Sequence, residues 1–373
     1  MKPASFWAAL SVRKRAGTRV VRHSGRPYRH TIWVVFMLVG CQTETRITAE
    51  RVPAFYHWKA TFNPTASDQA TLDSLGVQTL YVRFFDVDWD AAARTAVPKA
   101  TTIFRQKATA GMRVIPVVYI TNRTVANLTG GNPAEAGRAV PELAKNLTQK
   151  IRQLAQKQHI SIDEIQIDCD WTRSTRGTYF SLLTAISREA NVPLSATIRL
   201  HQVKFAAKTG VPPVARGMLM SYNTGDWKQT ATRNSILDLT DLQAYTDYLP
   251  GYPLPLDIAL PLFRWTVVYR NDRFLTLLNN VDRAQVRTVV GLTQQADSVR
   301  YVATRDVEAL GTSLRRGDIL RTEACSIRDL TTARDLLLAQ LPDQKRTFTL
   351  YHLDSIVLHP YTHANLKTLL HRP

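Results

Sequence analysis

Cysteine, glycine and acidic side chains are scarce in this sequence of 373 residues, and each shortage excludes a class of protein. With 3 Cys residues the chain is not a disulfide-stabilised scaffold, and with 16 Gly residues it has no collagen-like repeat. The 30 acidic residues are outnumbered by 48 Lys and Arg residues, which gives a formal net charge of +18. Hydrophobic residues make up 45% of the sequence, which is enough for a folded core and excludes disorder as the main state.

The excess of positive charge is concentrated near the N-terminus. Residues 1–40 hold eight of the basic residues and no acidic residue. The rest of the chain has 40 basic and 30 acidic residues, an excess of only ten. A basic tail can indicate nucleic-acid binding, but here an apolar run follows it at once, which favours a targeting segment. We therefore predict no nucleic-acid partner.

The apolar run extends from Thr31 to Gly40 and is followed directly by Cys41. It is too short to cross a bilayer as a helix, which takes about 20 residues, but it suits the apolar part of a signal peptide. The segment Leu38–Cys41 resembles the bacterial lipoprotein signal, in which small residues precede a cysteine that is lipidated and becomes the mature N-terminus. The alternative is a buried strand that ends in cysteine.

The lipoprotein resemblance implies a location as well as a modification. Cys41 would carry acyl chains that hold the protein on a membrane of the bacterial cell envelope. Gln42 follows it, where an Asp would signal retention in the inner membrane of enteric bacteria, so an outer-membrane location is favoured. The predicted division is a signal peptide over 1–40, a short linker over 41–51 and one domain over 52–373.

From residue 52 onward, strand-like apolar runs alternate with segments of helical period. The eight runs cover residues 52–58, 79–88, 113–120, 162–171, 194–201, 217–223, 256–265 and 347–353. Eight strands that alternate with helices predict an α/β protein with a (β/α)8 TIM-type barrel, and residues 266–326 form an insertion after the seventh strand. The alternative is an open doubly wound sheet, but its dinucleotide-binding form needs a Gly-rich turn after the first strand, and none is present.

Polar and aromatic side chains concentrate where these predicted strands end. The C-terminal strand ends of a barrel form its active site. Carboxylates and arginines can hydrogen-bond sugar hydroxyls, and Trp and Tyr rings can stack on pyranose rings, so the pattern is typical of a glycan-binding cleft. The expected substrate-binding residues are Tyr56, Trp58, Arg83, Asp86, Asp88, Trp171, Arg199, His201, Asn223, Trp265 and Tyr351.

The fourth strand carries the sharpest signal, a pair of carboxylates two positions apart. Because side chains alternate along a strand, Asp168 and Asp170 share one face and Cys169 lies on the other. The apolar face must pack on the helices, so both carboxylates are expected to point into the barrel. Burying two carboxylates is costly, and one of them should have a raised pKa. They are either a functional pair or a structural pair that Arg83 and Arg199 neutralise.

This segment resembles the fourth-strand signature of the family-18 glycoside hydrolases, the chitinase-like barrels, which reads D-G-x-D-x-D-x-E. Asp168 and Asp170 match its second and third acidic positions. Leu219–Asn223 resembles the family's sixth-strand M-x-Y-D, and Leu260–Phe263 resembles its seventh-strand G-x-P-x-Y. The resemblance implies that Asp168 and Asp170 orient the N-acetyl group of a substrate and that Tyr222 hydrogen-bonds it. These three are the expected catalytic residues.

The sequence departs from this family at the general acid. Thr172 stands where the family has its Glu, and Ile165 and Gln166 replace the first Asp and the Gly. A Thr hydroxyl cannot protonate a glycosidic oxygen at neutral pH, and losing such an acid typically costs about 10²–10⁴ in rate. An enzyme would need an acid from elsewhere in the chain. The candidates are Asp86, Asp88 and Asp226.

The sequence leaves three functions open. The leading one is an envelope lipoprotein whose barrel binds a glycan and either hydrolyses it with a non-standard carboxylate pair or leaves it intact. The second is a non-catalytic binding or envelope-assembly protein on the same scaffold. The third is a metal-dependent enzyme that uses Asp168, Asp170, His201 and His57, but these residues lack the tight spacing of metal ligands. We expect no cofactor and no metal.

Overall fold

The computed structural model describes residues 50–108, 111–128 and 133–371. The predicted signal peptide and its Cys41 lie outside these ranges. Among the described residues, none of the helices combines the length and the apolar character that a membrane crossing requires.

The strands and helices follow one another in the order that the alternation predicts. The strands are β1 (Arg51–His57), β2 (Thr61–Phe62), β3 (Thr79–Asp90), β4 (Thr95–Lys99), β5 (Ile103–Phe104), β6 (Arg113–Ile120), β7 (Ile165–Asp168), β8 (Leu194–Arg199), β9 (Arg216–Met220), β10 (Leu256–Pro261), β11 (Trp265–Arg270), β12 (Arg273–Asn279), β13 (Leu292–Gln294), β14 (Arg300–Ala303), β15 (Val307–Ala309), β16 (Thr312–Leu314), β17 (Ile319–Glu323) and β18 (Arg346–Tyr351). The helices are α1 (Ala66–Ser74), α2 (Asn122–Asn127), α3 (Pro133–Gln158), α4 (Arg176–Ala190), α5 (Leu200–Lys204), α6 (Ala206–Thr209), α7 (Leu239–Thr246), α8 (Arg283–Arg287), α9 (Ile327–Gln340), α10 (Ser355–Leu358) and α11 (His363–His371).

Eight of the strands close into a parallel ring. Their order around the ring is β1, β3, β6, β7, β8, β9, β10 and β18, and β18 pairs again with β1. Ala54 of β1 lies opposite Thr349 of β18 on one side and Thr79 of β3 on the other, so neither edge is free. This confirms the (β/α)8 TIM-type barrel and excludes the open sheet. The strand β4 pairs with β3 antiparallel and lies outside the ring.

The barrel has an outer and an inner apolar layer because side chains alternate along each strand. The outer layer packs on the helices, and the apolar stripe of α3 (Val140, Leu143, Leu147 and Ile151) is buried there. The inner layer is the smaller of the two and fills the lumen. Its members are Ala54, Tyr56, Tyr81, Ile115, Val117, Met218, Met220, Tyr222 and Ala259.

Several barrel strands end earlier than the sequence pattern predicts, and two of these differences affect expected site residues. The expected fourth strand, 162–171, is reduced to Ile165–Asp168, so Asp170 and Trp171 follow the ladder and are not part of it. The expected fifth strand ends at Arg199, and His201 lies in the short helix α5. In both places the alternation of apolar residues continues in the sequence after the chain has left the sheet at the barrel mouth, so the alternation overestimates the length of the strand.

The insertion after the seventh barrel strand is a small antiparallel domain. Its main sheet has the order β12, β11, β17, β14 and β13, and β15 pairs with β16 in a separate hairpin. A buried ion pair, with 2.5 Å between Arg321 Nε and Glu323 Oε1, lies at its junction with the barrel. Glu323 also accepts hydrogen bonds from the backbone and hydroxyl of Ser235, which follows β9, and from the Trp265 indole. These contacts fix the insertion beside the barrel mouth.

Close packing between β8, β9 and β10 makes Gly217 a sensitive position. A Cβ atom added there would lie 2.7 Å from Ile198 Cγ1 and 2.9 Å from Leu256 Cδ2, and both neighbours are buried. Overpacking a core of this kind typically costs about 1–3 kcal/mol. We expect Gly217→Ala to lower the free energy of unfolding, measured with urea, by that amount.

The matched control for this substitution is Gly177→Ala in α4. A Cβ atom at Gly177 would meet nothing within 4 Å. Because alanine favours a helix over glycine by about 0.5–1 kcal/mol, this variant should be unchanged or slightly more stable. Equal destabilisation of both variants would contradict the packing described for Gly217.

Candidate functional site

A cleft of about 570 Å³ opens where the barrel strands end, on the C-terminal side of the ring. This is the side on which the active sites of such barrels lie. The cleft combines aromatic rings with charged and amide side chains. Its lining residues are Trp58, Asp86, Tyr119, Asp168, Asp170, Arg199, Met220, Tyr222, Asn223, Phe263, Arg264, Trp265, Asn279, Asn280, Tyr351 and His352.

The end of β7 brings two carboxylates to the floor of this cleft. Asp168 and Asp170 both line it, together with Tyr222. Cys169, between them, is buried in the outer apolar layer against the helices. The structure therefore places these residues on the faces that strand alternation predicts, although only Asp168 belongs to the ladder.

Asp168 is the buried member of the pair and is 6% exposed. The hydroxyl of Thr197, on the neighbouring strand β8, donates a hydrogen bond of 2.5 Å to Asp168 Oδ1. Burial raises the pKa of Asp168 to about 6, the Arg199 cation opposes this rise, and the Asp170 charge adds to it. The Asp168 carboxyl therefore changes protonation state close to neutral pH.

Asp170 is more open to solvent and is held by an arginine from β8. Its side chain is 47% exposed, and Arg199 Nε donates to Asp170 Oδ1 at 2.6 Å. A second, longer contact of 3.4 Å joins Arg199 Nη2 to Asp170 Oδ2. Burial alone would lower the pKa of the Arg199 guanidinium. The nearby charges of Asp170 and Asp168 outweigh this effect, so the pKa is raised. The two side chains form an ion pair at the cleft floor.

Tyr222 supplies a neutral hydroxyl beside the carboxylates. It is 7% exposed, and burial raises its pKa above the ordinary value for tyrosine. Its hydroxyl lies 3.1 Å from Met220 Sδ, a weak acceptor. Its ring packs 5.5 Å from the ring of Tyr351 and 5.8 Å from that of Phe263. The hydroxyl is therefore held in place by packing and remains available to a stronger acceptor.

Trp58 and Tyr351 form an aromatic wall near β1. Their ring centroids are 6.0 Å apart, and the Arg83 guanidinium lies 6.0 Å from the Trp58 ring. Arg83 also makes two hydrogen bonds to Asp86, from Nε at 2.7 Å and from Nη2 at 2.5 Å. The Asp86 carboxylate is therefore already engaged by a bidentate arginine.

Five of the expected substrate-binding residues lie outside the cleft lining. Tyr56 is fully buried beneath the floor, where its hydroxyl donates to Gln166 Oε1 at 2.5 Å. Arg83 lies behind Asp86, and Asp88 is held outside by hydrogen bonds from Arg123 and from the Thr121 hydroxyl. These three side chains do not line the cleft, because strand positions below or beyond the mouth do not reach it.

Trp171 and His201 are the other two expected substrate-binding residues that do not line the cleft. Trp171 is 1% exposed, stacks 5.1 Å from Tyr179 of α4, and donates from its indole nitrogen to the Thr209 carbonyl. It belongs to the outer layer because it continues the face of Cys169. His201 is exposed on α5, two residues beyond the end of β8.

Thr172, at the position of the family's acid, does not line the cleft. Its side chain is exposed, and its hydroxyl contacts Ser174 Oγ at 2.9 Å. Of the three carboxylates considered as replacements, only Asp86 lines the cleft, and it is paired with Arg83. Asp226 is exposed and accepts from the backbone of Lys228, and Asp88 pairs with Arg123.

Several lining residues were not among those expected. Tyr119 lies next to the last residue of the apolar third strand, and this position near a strand end could have indicated that it lines the cleft. Asn279 and Asn280 come from the insertion, at the end of β12, so the barrel strand pattern could not indicate them. Within the described ranges, no three His, Cys, Asp or Glu side chains lie close enough together to hold a metal ion. His57, proposed for a metal site, is buried against Phe62, behind the cleft.

The fold is similar to that of several solved glycoside hydrolases. The spore cortex-lytic enzyme SleL of Bacillus cereus is 13% identical, with 86% of this chain and 74% of that chain covered and a TM-score of 0.51. A chitinase from Chromobacterium violaceum is 11% identical, with 87% and 100% covered and a TM-score of 0.49. No family model matches the sequence, and no curated protein is significantly similar to it. At 13% identity the similarity to SleL shows the fold alone, a (β/α)8 barrel.

Asp168 links the stability of the barrel to pH. The pKa of its carboxyl is about 6 in the folded protein, against an ordinary value of 3.8. The folded state therefore binds the proton more tightly, so the stability that protonation provides is complete below the ordinary pKa and is lost as the pH rises through 6. A shift of this size corresponds to about 3 kcal/mol. The asparagine of Asp168→Asn cannot ionise, so the variant does not lose this stability as the pH rises. The unfolding free energy of the variant minus that of the wild type should therefore increase by up to about 3 kcal/mol from pH 4 to pH 7.5.

The control for this pH series is Asp90→Asn. Hydrogen bonds from the backbone of Ala93 and Ala92 lower the pKa of the exposed Asp90 carboxyl, so its contribution has the opposite sign and is lost as the pH falls. Urea unfolding at both pH values measures all three proteins. A stability difference between Asp168→Asn and wild type that does not change with pH would contradict the assignment.

Proposed function

We propose that this protein is a lipid-anchored, glycan-binding protein of the bacterial cell envelope, built on a glycoside-hydrolase-like barrel. The observation that carries the proposal is the composition of the cleft. Aromatic rings line it above a floor of hydrogen-bonding groups, which is the combination that sugars need, since one face of a pyranose ring is apolar and its rim is hydroxylated. The fold similarity to glycoside hydrolases supports the same interpretation.

The floor groups suit a polar sugar substituent. The Asp170–Arg199 pair offers an acceptor and donors within one ion pair, and Asp170 remains half exposed. The Tyr222 hydroxyl has only a thioether partner, so a sugar carbonyl or hydroxyl would be a better acceptor. The ring of Trp58 is partly exposed above them and offers a surface for stacking.

Binding without hydrolysis is the form of the proposal that the cleft favours. Hydrolysis of a glycoside requires a proton donor placed beside the leaving oxygen. The donor position of the family holds Thr172, whose side chain faces Ser174 outside the cleft, and Asp86 is occupied by Arg83. The second candidate function is a glycosidase that uses Asp168 as the acid, and the raised pKa of that carboxyl is the observation in its favour.

Trp58→Ala tests glycan binding. Loss of one stacking ring is expected to weaken binding by up to about tenfold, since such contacts contribute roughly 0.5–1.5 kcal/mol. The measurement is calorimetric titration of the full chain in detergent with chitin-type, peptidoglycan-type and plant-type oligosaccharides. The control is Tyr248→Ala, because Tyr248 is 45% exposed and does not line the cleft.

The same titrations separate the two candidate functions when the products are analysed by chromatography. Saturable binding with no shortened product supports the binding protein. Shortened products that disappear in Asp168→Asn would establish a glycosidase. The absence of binding to every class, or an unchanged affinity in Trp58→Ala, would overturn the glycan cleft.

Lipidation is tested by Cys41→Ser. The proposed anchor depends on the thiol, so the wild-type protein should be found with the membrane fraction and the variant should not carry the lipid mass. Intact-mass measurement of the wild-type protein should give a chain that starts at Cys41 and carries acyl groups. An unmodified chain that starts at Met1 would exclude the anchor.

A further inference from the structure

One end of the cleft is rich in hydrogen-bond donors and lies where β10 passes into the insertion. We define the insertion end of the cleft as Arg264, Asn279, Asn280 and His352, all of which line it. Arg264 and the two asparagines are adjacent because the backbone of Asn280 donates to the Arg264 carbonyl at 3.0 Å. The barrel thus supplies Arg264 and His352, and the insertion supplies the two amides.

Arg264 is the least compensated of the cleft arginines. It is 8% exposed, and its Nη1 donates to the backbone carbonyl of Ile356 at 3.0 Å. Its Nε lies 3.5 Å from Asp282 Oδ2 but makes no hydrogen bond. Arg83 and Arg199, in contrast, approach their carboxylates to 2.5 Å and 2.6 Å. The Arg264 charge is therefore only weakly paired by Asp282, so an anion in the cleft would be attracted to it.

The neighbouring side chains also have donors or acceptors to spare. His352 Nδ1 is buried and has no hydrogen-bond partner. Among the described residues, the side-chain amides of Asn279 and Asn280 make no hydrogen bond, and Asn280 is partly buried. The charges that face this group are the carboxylate of Asp282 behind Arg264 and that of Asp354, which pairs with Lys59 at 2.6 Å. The group therefore presents a cation and amides to the cleft.

We propose that the insertion end of the cleft binds the carboxylate of an acidic sugar, either a uronic acid or a sugar with a lactyl ether. This inference rests on the proposed glycan-binding function. A guanidinium matches the two oxygens of a carboxylate, and asparagine amides can complete the contact. A neutral sugar hydroxyl would not neutralise the Arg264 charge, and Asp282, at 3.5 Å, would remain its nearest counter-ion.

The test compares ligands that share a backbone and differ in the acid. Calorimetric titration of the full chain in detergent uses chitotetraose, the tetrasaccharide of alternating N-acetylglucosamine and N-acetylmuramic acid, and the methyl ester of that tetrasaccharide. A hyaluronan tetrasaccharide provides the uronic acid. We expect either the tetrasaccharide with N-acetylmuramic acid or the hyaluronan tetrasaccharide to bind at least tenfold more tightly than chitotetraose. The reason is that hydrogen bonds to charged groups are stronger than those between neutral groups. The ester should lose that advantage, which separates the charge from the added bulk.

Two variants assign the preference to Arg264. Arg264→Gln should remove the preference for the acid, so that the free acid and chitotetraose bind to this variant with equal affinity. Asp282→Asn removes the competing carboxylate but can still cap α8, so it should tighten binding of the acid. The matched controls are Arg233→Gln and Asp238→Asn, because Arg233 and Asp238 form a salt bridge of 2.8 Å outside the cleft and Asp238 caps α7. Both controls should bind as wild type does.

The outcomes distinguish this inference from the glycan-binding proposal. Equal affinity for chitotetraose and both acids would overturn the carboxylate site and leave glycan binding intact. Binding of no ligand would overturn the proposed function itself. Thermal unfolding of each variant reveals any loss of folding, and if Arg264→Gln does not fold, Asp282→Asn decides: unchanged or weaker acid binding in that variant would refute the role of Arg264.

Discussion

Closure of the eight parallel strands is the constraint on which the other features of this protein depend. Once β18 pairs with β1, alternate side chains of each strand must enter a closed lumen, and polar ones must find partners there. Strand β7 and the residue before it meet this requirement. Glu164 accepts from Ser195 at 2.6 Å, and Gln166 accepts from Tyr56 at 2.5 Å. Asp168 is the next position of the same face, and it lies where the lumen opens into the cleft.

The cleft gives its three carboxylates different environments: Asp86 lies on β3, and Asp168 and Asp170 lie at the end of β7. Asp86 is held by two hydrogen bonds from Arg83, and Asp170 shares a partly exposed ion pair with Arg199. Asp168 is buried with a hydroxyl as its nearest donor, so it is the one whose pKa rises to about 6. Depth in the barrel therefore distinguishes the partly exposed Asp170–Arg199 pair from the buried Asp168 carboxyl, whose pKa is raised.

The strands and the faces of the lumen could be predicted from the sequence because period-two alternation is a local property. It placed Asp168 on the inner face and Cys169 on the outer one. Alternation also assigns Trp171 to the face of Cys169, and its ring packs outward on α4. It failed at His201, which enters a helix, because alternation does not indicate where a ladder ends. Asn280 could not be predicted at all, since its place in the cleft depends on how a second sheet packs beside the first.

Thr172 lies in a corner beside the cleft where hydroxyl and amide side chains hydrogen-bond to one another. Its hydroxyl and that of Thr175 lie 3.3 Å apart, and the Thr175 hydroxyl donates to Asn122 at 2.7 Å, so this corner is closed by neutral hydrogen bonds. Among the described residues that line the cleft, the carboxylate of Asp86 is paired with Arg83. A glutamate at position 172 alone would have to displace the contact with Ser174 before it reached the cleft. The local hydrogen bonds thus hold the Thr172 side chain outside the cleft.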